Sequence, residues 1–237
     1  MTQMTSQEPE ARKRAGSAEL DALRTAEERR VTDEGNPARP TGESGSMMLQ
    51  RMNRSHADVT NWALDYLDFD SSATALDIGC GGGATMRRIL DRMGPGSGVV
   101  VGVDYSEVSC EESRRLNADM IEAGSMRVVQ ASVEDLPFDD ASFDLITTVE
   151  SFYFWPDPLE SLREVRRVLK REGSFMLVAD VYRKEGLSRQ VLDNIEKYHL
   201  TVLTPQEYRD LFVAAGFSDV TVHVRPGTDW ICVEGVA

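Results

Sequence analysis

Long apolar runs are missing from this 237-residue chain: none approaches the ~20 residues a membrane helix needs, which argues against a helical membrane span. The opening residues, M-T-Q-M-T-S-Q-E-P-E, lack the basic start and apolar core of a secretory signal, so the expected location is cytoplasmic. Cysteine is scarce. Cys80, Cys110 and Cys232 are odd in number and widely spaced, which speaks against a disulfide framework or a zinc cluster and leaves reduced packing residues. Positive charge is short as well: 26 Lys and Arg against 40 Asp and Glu leave a net charge of -14. That balance disfavours nucleic acid as a partner, because phosphate contacts need clustered cations. No internal repeat and no metal-ligand cluster is visible, so no metal site is expected.

Residues 1–45 are rich in Glu, Arg, Ser, Thr, Gly and Pro, with few aliphatics and no aromatics. Such a segment cannot bury enough surface to offset its ordering entropy, so it is expected to be a disordered tail, with 17–30 able to form a transient helix on Leu20 and Leu23. Composition changes at Ser46. Met47, Met48, Leu49 and Met52 lead to a capping box of Ser55 with Asp58, and Val59, Trp62, Ala63, Tyr66 and Leu67 then share one face, which predicts helical structure over 46–72. His56 falls in the first turn after that cap, where a surface position and one aimed at a substrate are both open.

The centre of the chain is residues 74–84, T-A-L-D-I-G-C-G-G-G-A. Ala75, Leu76 and Ile78 form a short apolar run, four glycines follow within five positions, and Met86, Ile89, Leu90 and Met93 recur at helical spacing. The pattern is a buried strand, a glycine loop and a helix. Glycine permits positive φ and lets a ligand meet the backbone without a Cβ, so a ligand is expected against Gly79, Gly81 and Gly83. The same letters satisfy the dinucleotide fingerprint G-x-G-x-x-A, which seats a pyrophosphate on the helix N-terminus. Asp77 argues against it, since a carboxylate facing the loop mouth suits a cationic ligand.

Further strands are predicted over 98–103, 126–130, 143–149 and 174–179, with helices between them. Asp157-Pro158-Leu159-Glu160 starts a helix running to about 171, stopped by Gly173, and Thr204-Pro205-Gln206-Glu207 starts another closed by Gly216. Strands joined by single helices imply a parallel, doubly wound α/β sheet. Two final strands flank Pro226-Gly227 and must form a hairpin, so one of them runs antiparallel.

Over roughly residues 53–237 the sequence resembles the class I S-adenosylmethionine-dependent methyltransferases, with the first motif at Leu76-Asp77-Ile78-Gly79-Cys80-Gly81-Gly82-Gly83. It is most similar to the small-molecule branch typified by the ubiquinone and menaquinone biosynthesis enzymes. The resemblance implies a Rossmann-like, mostly parallel seven-stranded sheet with a reversed C-terminal edge hairpin over 73–237, and a helical lid over 46–72 that covers the cofactor and helps to form the substrate pocket. It implies S-adenosyl-L-methionine as cofactor, with Asp77, Gly79, Cys80, Gly81 and Gly83 around it, Asp104 on the ribose hydroxyls and Tyr105 beside the adenine. The stretch 130–138 is similar to the adenine-binding motif but carries Ala131 and Ser132 where Gly and Asp are usual, so Ser132 or the backbone at Val133 must substitute for the common carboxylate contact. The tetrad of nucleobase amino-methyltransferases is absent. Phe152, Tyr153, Phe154 and Trp155 stand in its place and form an aromatic wall suited to a small-molecule substrate. Glu150, at a strand's carboxyl end, contacts either the methionine ammonium or the substrate. Transfer from a sulfonium is an in-line displacement, so the protein mainly positions and dries the reactants. If the acceptor must lose a proton, His56, Glu150 and Tyr153 are the candidate bases. His199 and His223 read as surface residues. An NAD(P)-linked oxidoreductase and a non-catalytic cofactor-binding protein remain the alternatives.

Overall fold

The computed structural model describes residues 26–237, so the disorder expected over 1–25 lies outside the described residues. Its continuation to residue 45 does not hold. A helix, α1 (26–35), and the start of α2 (Gly42–Ser55) occupy that stretch. Composition pointed the other way because α1 has little apolar surface of its own. Val31 is its buried anchor, and the remaining attachment is polar. Arg51 on α2 donates to the Glu28 carbonyl (3.0 Å) and the Thr32 hydroxyl (2.6 Å). Tyr198 donates to Asp33 (2.7 Å), and Lys197 pairs with the same carboxylate. The predicted capping box is also absent: Ser55 ends α2, and His56 stands at the N-cap of α3 (Ala57–Leu64) with no side-chain cap bond.

Seven strands follow: β1 (Thr74–Ile78), β2 (Val99–Asp104), β3 (Met126–Gln130), β4 (Phe143–Val149), β5 (Leu169–Ala179), β6 (Ser218–Val224) and β7 (Ile231–Val236). They form one sheet in the order β3-β2-β1-β4-β5-β7-β6. The first five are parallel, and β7 lies antiparallel between β5 and β6, as the terminal hairpin requires. Leu76 of β1 pairs with Val101 of β2 and Ile146 of β4, which fixes the middle of the sheet. Helices α4 (Ala84–Met93), α5 (Glu107–Leu116), α6 (Ala118–Glu122), α7 (Pro158–Val168), α8 (Arg189–Lys197) and α9 (Pro205–Ala215) complete the chain.

Alternation along the strands sends Leu76, Ile78, Ile146 and Phe175 to one core with Val165 of α7 and Phe212 of α9. Ala75, Val100 and Met176 face the other core with Met86 and Ile89 of α4 and Ala63 of α3. Helix α7 stops at Val168, sooner than Gly173 suggests, and β5 begins at once. Between its pairings with Phe143 and Leu145, β5 advances from Leu169 to Ser174, so the extra residues bend out, with Glu172 at φ 66°. Gly173 serves that bend: a Cβ there would lie 2.8 Å from the Lys170 carbonyl. A variable helix with His199 late in it is expected here; helix α8 carries no buried residue and ends at Lys197, before His199. Among the described residues no helix is long and apolar enough to cross a membrane.

Candidate functional site

Parallel strands deliver their carboxyl ends to one edge of the sheet, and beyond that edge lies a cavity of about 720 Å³. The glycine loop forms its floor. Gly79, Gly81 and Gly83 have φ of 71°, 50° and 80°, which L side chains avoid. Their reasons differ. A Cβ on Gly79 would sit 2.3 Å from Ser151 Oγ, and one on Gly83 would meet Asn117 and Ser113 of the neighbouring helix. Gly83 therefore serves helix packing and is not on the cavity wall, a correction to its expected place under the ligand. A Cβ on Gly81 would make only ordinary contacts, with a Leu49 methyl at 3.4 Å and the Gly79 carbonyl at 3.9 Å, and Gly81 lines the cavity.

Asp104 ties the loop to the end of β2. Its Oδ2 accepts from the Gly81 amide (3.0 Å) and its Oδ1 from the Ser106 amide (2.9 Å), so each oxygen keeps acceptor capacity on a wall of the cavity. Burial pushes its pKa up, and the two amides, with the nearby Ser109 hydroxyl, oppose the shift. Tyr105 lines the same wall, and its hydroxyl donates to the Ala38 carbonyl. Ser106 donates to the Pro40 carbonyl (2.6 Å), so the turn between α1 and α2 is fastened over this end of the cavity. Ser132 and Val133 are also on the wall, although Ser132 is engaged with Glu134, donating to its carboxylate (3.2 Å) and accepting from its amide (3.3 Å). Cys80 lines the floor, its thiol pushed up by burial and in contact with Ser113.

Asp77 is elsewhere. It is 1% exposed, accepts a hydrogen bond from Thr147 Oγ1 (2.7 Å), and does not line the cavity, so it does not face the loop mouth. Alternation explains this: Ile78 points to one side of β1 and Asp77 to the other. Burial raises its pKa to about 7 despite the Thr147 bond. In the unfolded chain the same group titrates near ~3.9. Stability is therefore fully present below pH ~4 and falls as the pH climbs towards 7, by up to ~1.4 kcal/mol per pH unit. Asp77→Asn keeps an acceptor for Thr147 and removes the ionisation, so it should raise the melting temperature more at pH 8 than at pH 4.5. Equal shifts in thermal unfolding at the two pH values would mean that Asp77 is ionised in the fold.

Also on the cavity lining, three side chains from three elements converge: His56 from the α2–α3 junction, Glu150 from the end of β4 and Asp180 from the end of β5. A donor atom of each lies within 4.8 Å of the others. Glu150 has φ 56°, a left-handed conformation that is strained for a side chain of this kind and recurs at functional sites. Its Oε2 accepts from the Tyr153 hydroxyl (2.8 Å), while its buried Oε1 has no hydrogen-bond partner. Burial, then the Asp180 charge, holds the Glu150 carboxyl well above the usual range, and burial pushes the Tyr153 phenol up as well. Burial lowers the His56 pKa, opposed by Asp180 and assisted by Arg51 and Arg88, so the imidazole is neutral near pH 7. Asp180 was missed from the sequence. The strand-end rule that singles out Asp104 and Glu150 also reaches it, since the Glu150 amide bonds to Val178 and the two strand ends are adjacent.

Of the four aromatics after β4, Tyr153, Phe154 and Trp155 line the cavity, whereas Phe152 is buried against Trp155 and Tyr208. His199 lies past α8, and His223 bonds to Glu234 within the edge hairpin, both away from the cavity.

Residues 76–177 match the family described as methyltransferase domain. The chain is 34% identical over 150 residues to a sarcosine/dimethylglycine N-methyltransferase of Halorhodospira halochloris, covering 62% of this chain and 52% of that protein. It is 30% identical over 176 residues to a chloroplastic 2-methyl-6-phytyl-1,4-hydroquinone methyltransferase of Oryza sativa subsp. japonica, covering 73% of this chain and 47% of that one. The chain thus spans about half the length of these curated relatives. Among solved structures, an S-adenosylmethionine-dependent methyltransferase from Aquifex aeolicus superposes with a TM-score of 0.64 at 16% identity, over 80% of this chain and 97% of that one, a likeness of fold.

Proposed function

We propose, on the match of residues 76–177 to the methyltransferase domain family, that the protein is an S-adenosylmethionine-dependent methyltransferase acting on a small organic molecule. The observation that carries this reading is the pairing, across one cavity, of the Gly81–Asp104 cradle with the His56–Glu150–Asp180 cluster. The residues fit the cofactor. A glycine floor that a Cβ at Gly79 would disrupt, a carboxylate with spare acceptor capacity, and a half-exposed Tyr105 are what a nucleoside with a free ribose needs. Asp104 would hold the ribose, Tyr105, Ser132 and Val133 the adenine, and Gly79, Cys80 and Gly81 the methionine end. When bound, S-adenosylmethionine supplies a methyl group on a sulfonium, an electrophile that needs no further activation.

The chain's own work is then orientation, exclusion of water and proton transfer. His56 is the base we assign, because its lowered pKa leaves the imidazole lone pair free near pH 7. Tyr153 is occupied as a donor to Glu150, and Glu150 holds its proton too tightly to serve as the base itself. The N-terminal helices act as a lid: Asn53 of α2 donates to the Gly82 carbonyl (3.0 Å), which fastens them to the floor. One relative is named for methylating an amine and another for methylating a hydroquinone, so a nitrogen acceptor and a ring acceptor both follow from kinship. The acidic net charge supports a small-molecule acceptor over nucleic acid and fits a cytoplasmic enzyme. Calorimetric titration tests the reading. S-adenosylhomocysteine is expected to saturate one site per chain and NAD to give no heat, and the reverse result would restore the oxidoreductase alternative.

A further inference from the structure

The cavity wall is strongly acidic. Asp104, Glu134, Glu150, Asp180 and Asp229 line it against a single guanidinium, Arg88, among the described residues. Carboxylates on low-dielectric walls concentrate cations. At the cluster the demand is sharper, because Glu150 and Asp180 approach each other beside a neutral imidazole, and the buried Glu150 Oε1 has no hydrogen-bond partner while the Asp180 charge acts on the same carboxyl. Two carboxyl groups that close call for a positively charged donor, which lets both ionise. Tyr153, Phe154 and Trp155 stand on the same wall and add π faces, which attract organic cations more than they attract hydrated metal ions.

Resting on the methyltransferase reading, we propose that the acceptor is a small organic amine, received as its ammonium ion between the Glu150 and Asp180 carboxylates beneath the aromatic wall. Donor atoms that lie within 4.8 Å of one another can all reach one ammonium nitrogen at about 2.8 Å. Burial, and after it the Asp180 charge, holds the proton on Glu150; the entering cation offsets both by its own charge, and the Glu150 proton leaves to solvent. The reaction balances. His56 takes one N–H proton, and Asp180, beside it, stabilises the imidazolium that forms. The freed nitrogen lone pair makes the N–CH3 bond as the S–CH3 bond breaks, its electrons staying on sulfur, and His56 then returns its proton to water.

Butylamine, an ammonium ion with N–H donors at neutral pH, and its uncharged analogue 1-butanol serve as probes. Each is titrated calorimetrically into the full chain saturated with S-adenosylhomocysteine, so that no sulfonium is present. Butylamine is expected to saturate one site, with the alcohol at least about 10-fold weaker, and Asp180→Asn should erase the preference while the circular dichroism spectrum stays folded. Equal binding of the two probes, or binding of neither while S-adenosylhomocysteine binds, overturns the proposal. Saturable Mn2+ binding that Asp180→Asn abolishes, with butylamine inert, overturns it in favour of a metal site. Loss of S-adenosylhomocysteine binding with the butylamine preference intact sinks the methyl-transfer reading alone.

Discussion

Asp104→Ala is expected to weaken S-adenosylhomocysteine binding by about 100-fold. The carboxylate already accepts from the Gly81 and Ser106 amides, and its remaining lone pairs on the cavity wall are the ones a ribose diol would use. Hydrogen bonds to an ionised group contribute ~1.5–3 kcal/mol each, so losing two costs ~3 kcal/mol or more, about two orders of magnitude in affinity. Asp104→Asn keeps acceptor oxygen for one partner and should fall between the alanine variant and the wild type. Calorimetry on the three proteins checks the order, with thermal unfolding run alongside, since alanine also strands two amides in the glycine loop. Unchanged affinity in Asp104→Ala would refute the assignment to the ribose.

His56→Ala should lower kcat by about 10²- to 10⁴-fold, the usual contribution of a positioned base, with S-adenosylhomocysteine affinity within a few-fold of wild type. The sign of the pH effect follows from the environment. Burial depresses the imidazole pKa below its ordinary 6.5, so the active, unprotonated form persists into mildly acidic solution. The acid limb of kcat is therefore expected below pH 6.5 in the wild type and should vanish in the variant. Steady-state rates of homocysteine-linked product formation across pH 5–9 decide it. A variant with full activity, or one that keeps the acid limb, removes His56 from the chemistry.

Much of this site could be read from the sequence because its determinants are local. The turn after Ile78 needs positive φ three times in five residues, and only a glycine-rich string supplies that. Asp104 and Glu150 announce themselves as carboxylates directly after apolar strands. What escaped depends on tertiary partners. Gly83 and Gly81 are the same letter, and only the presence of Ser113 and Asn117 across from one of them separates packing from ligand clearance. Asp77 reads as a residue at the loop mouth until the register with Thr147 turns it inward. Helix α1 has one buried anchor and is held by Arg51, Tyr198 and Lys197, none of which lies near it in the chain. The bounds of helix α8 are similarly hidden, since no buried stripe marks them. Asp180 was legible by the rule used for its neighbours, and the aromatic run after β4 drew attention away from β5.

Asp33 on α1 meets Lys197 and Tyr198, while Thr32 on the same helix and Tyr198 share the rim of the cavity. These two segments, 164 residues apart in sequence, therefore form a clasp across the mouth. The clasp is solvent-exposed, and ion pairs of that kind are weakly held. Opening the rim thus needs no loss of strand pairing: the exposed bonds of Asp33 can part and re-form above an unmoved sheet.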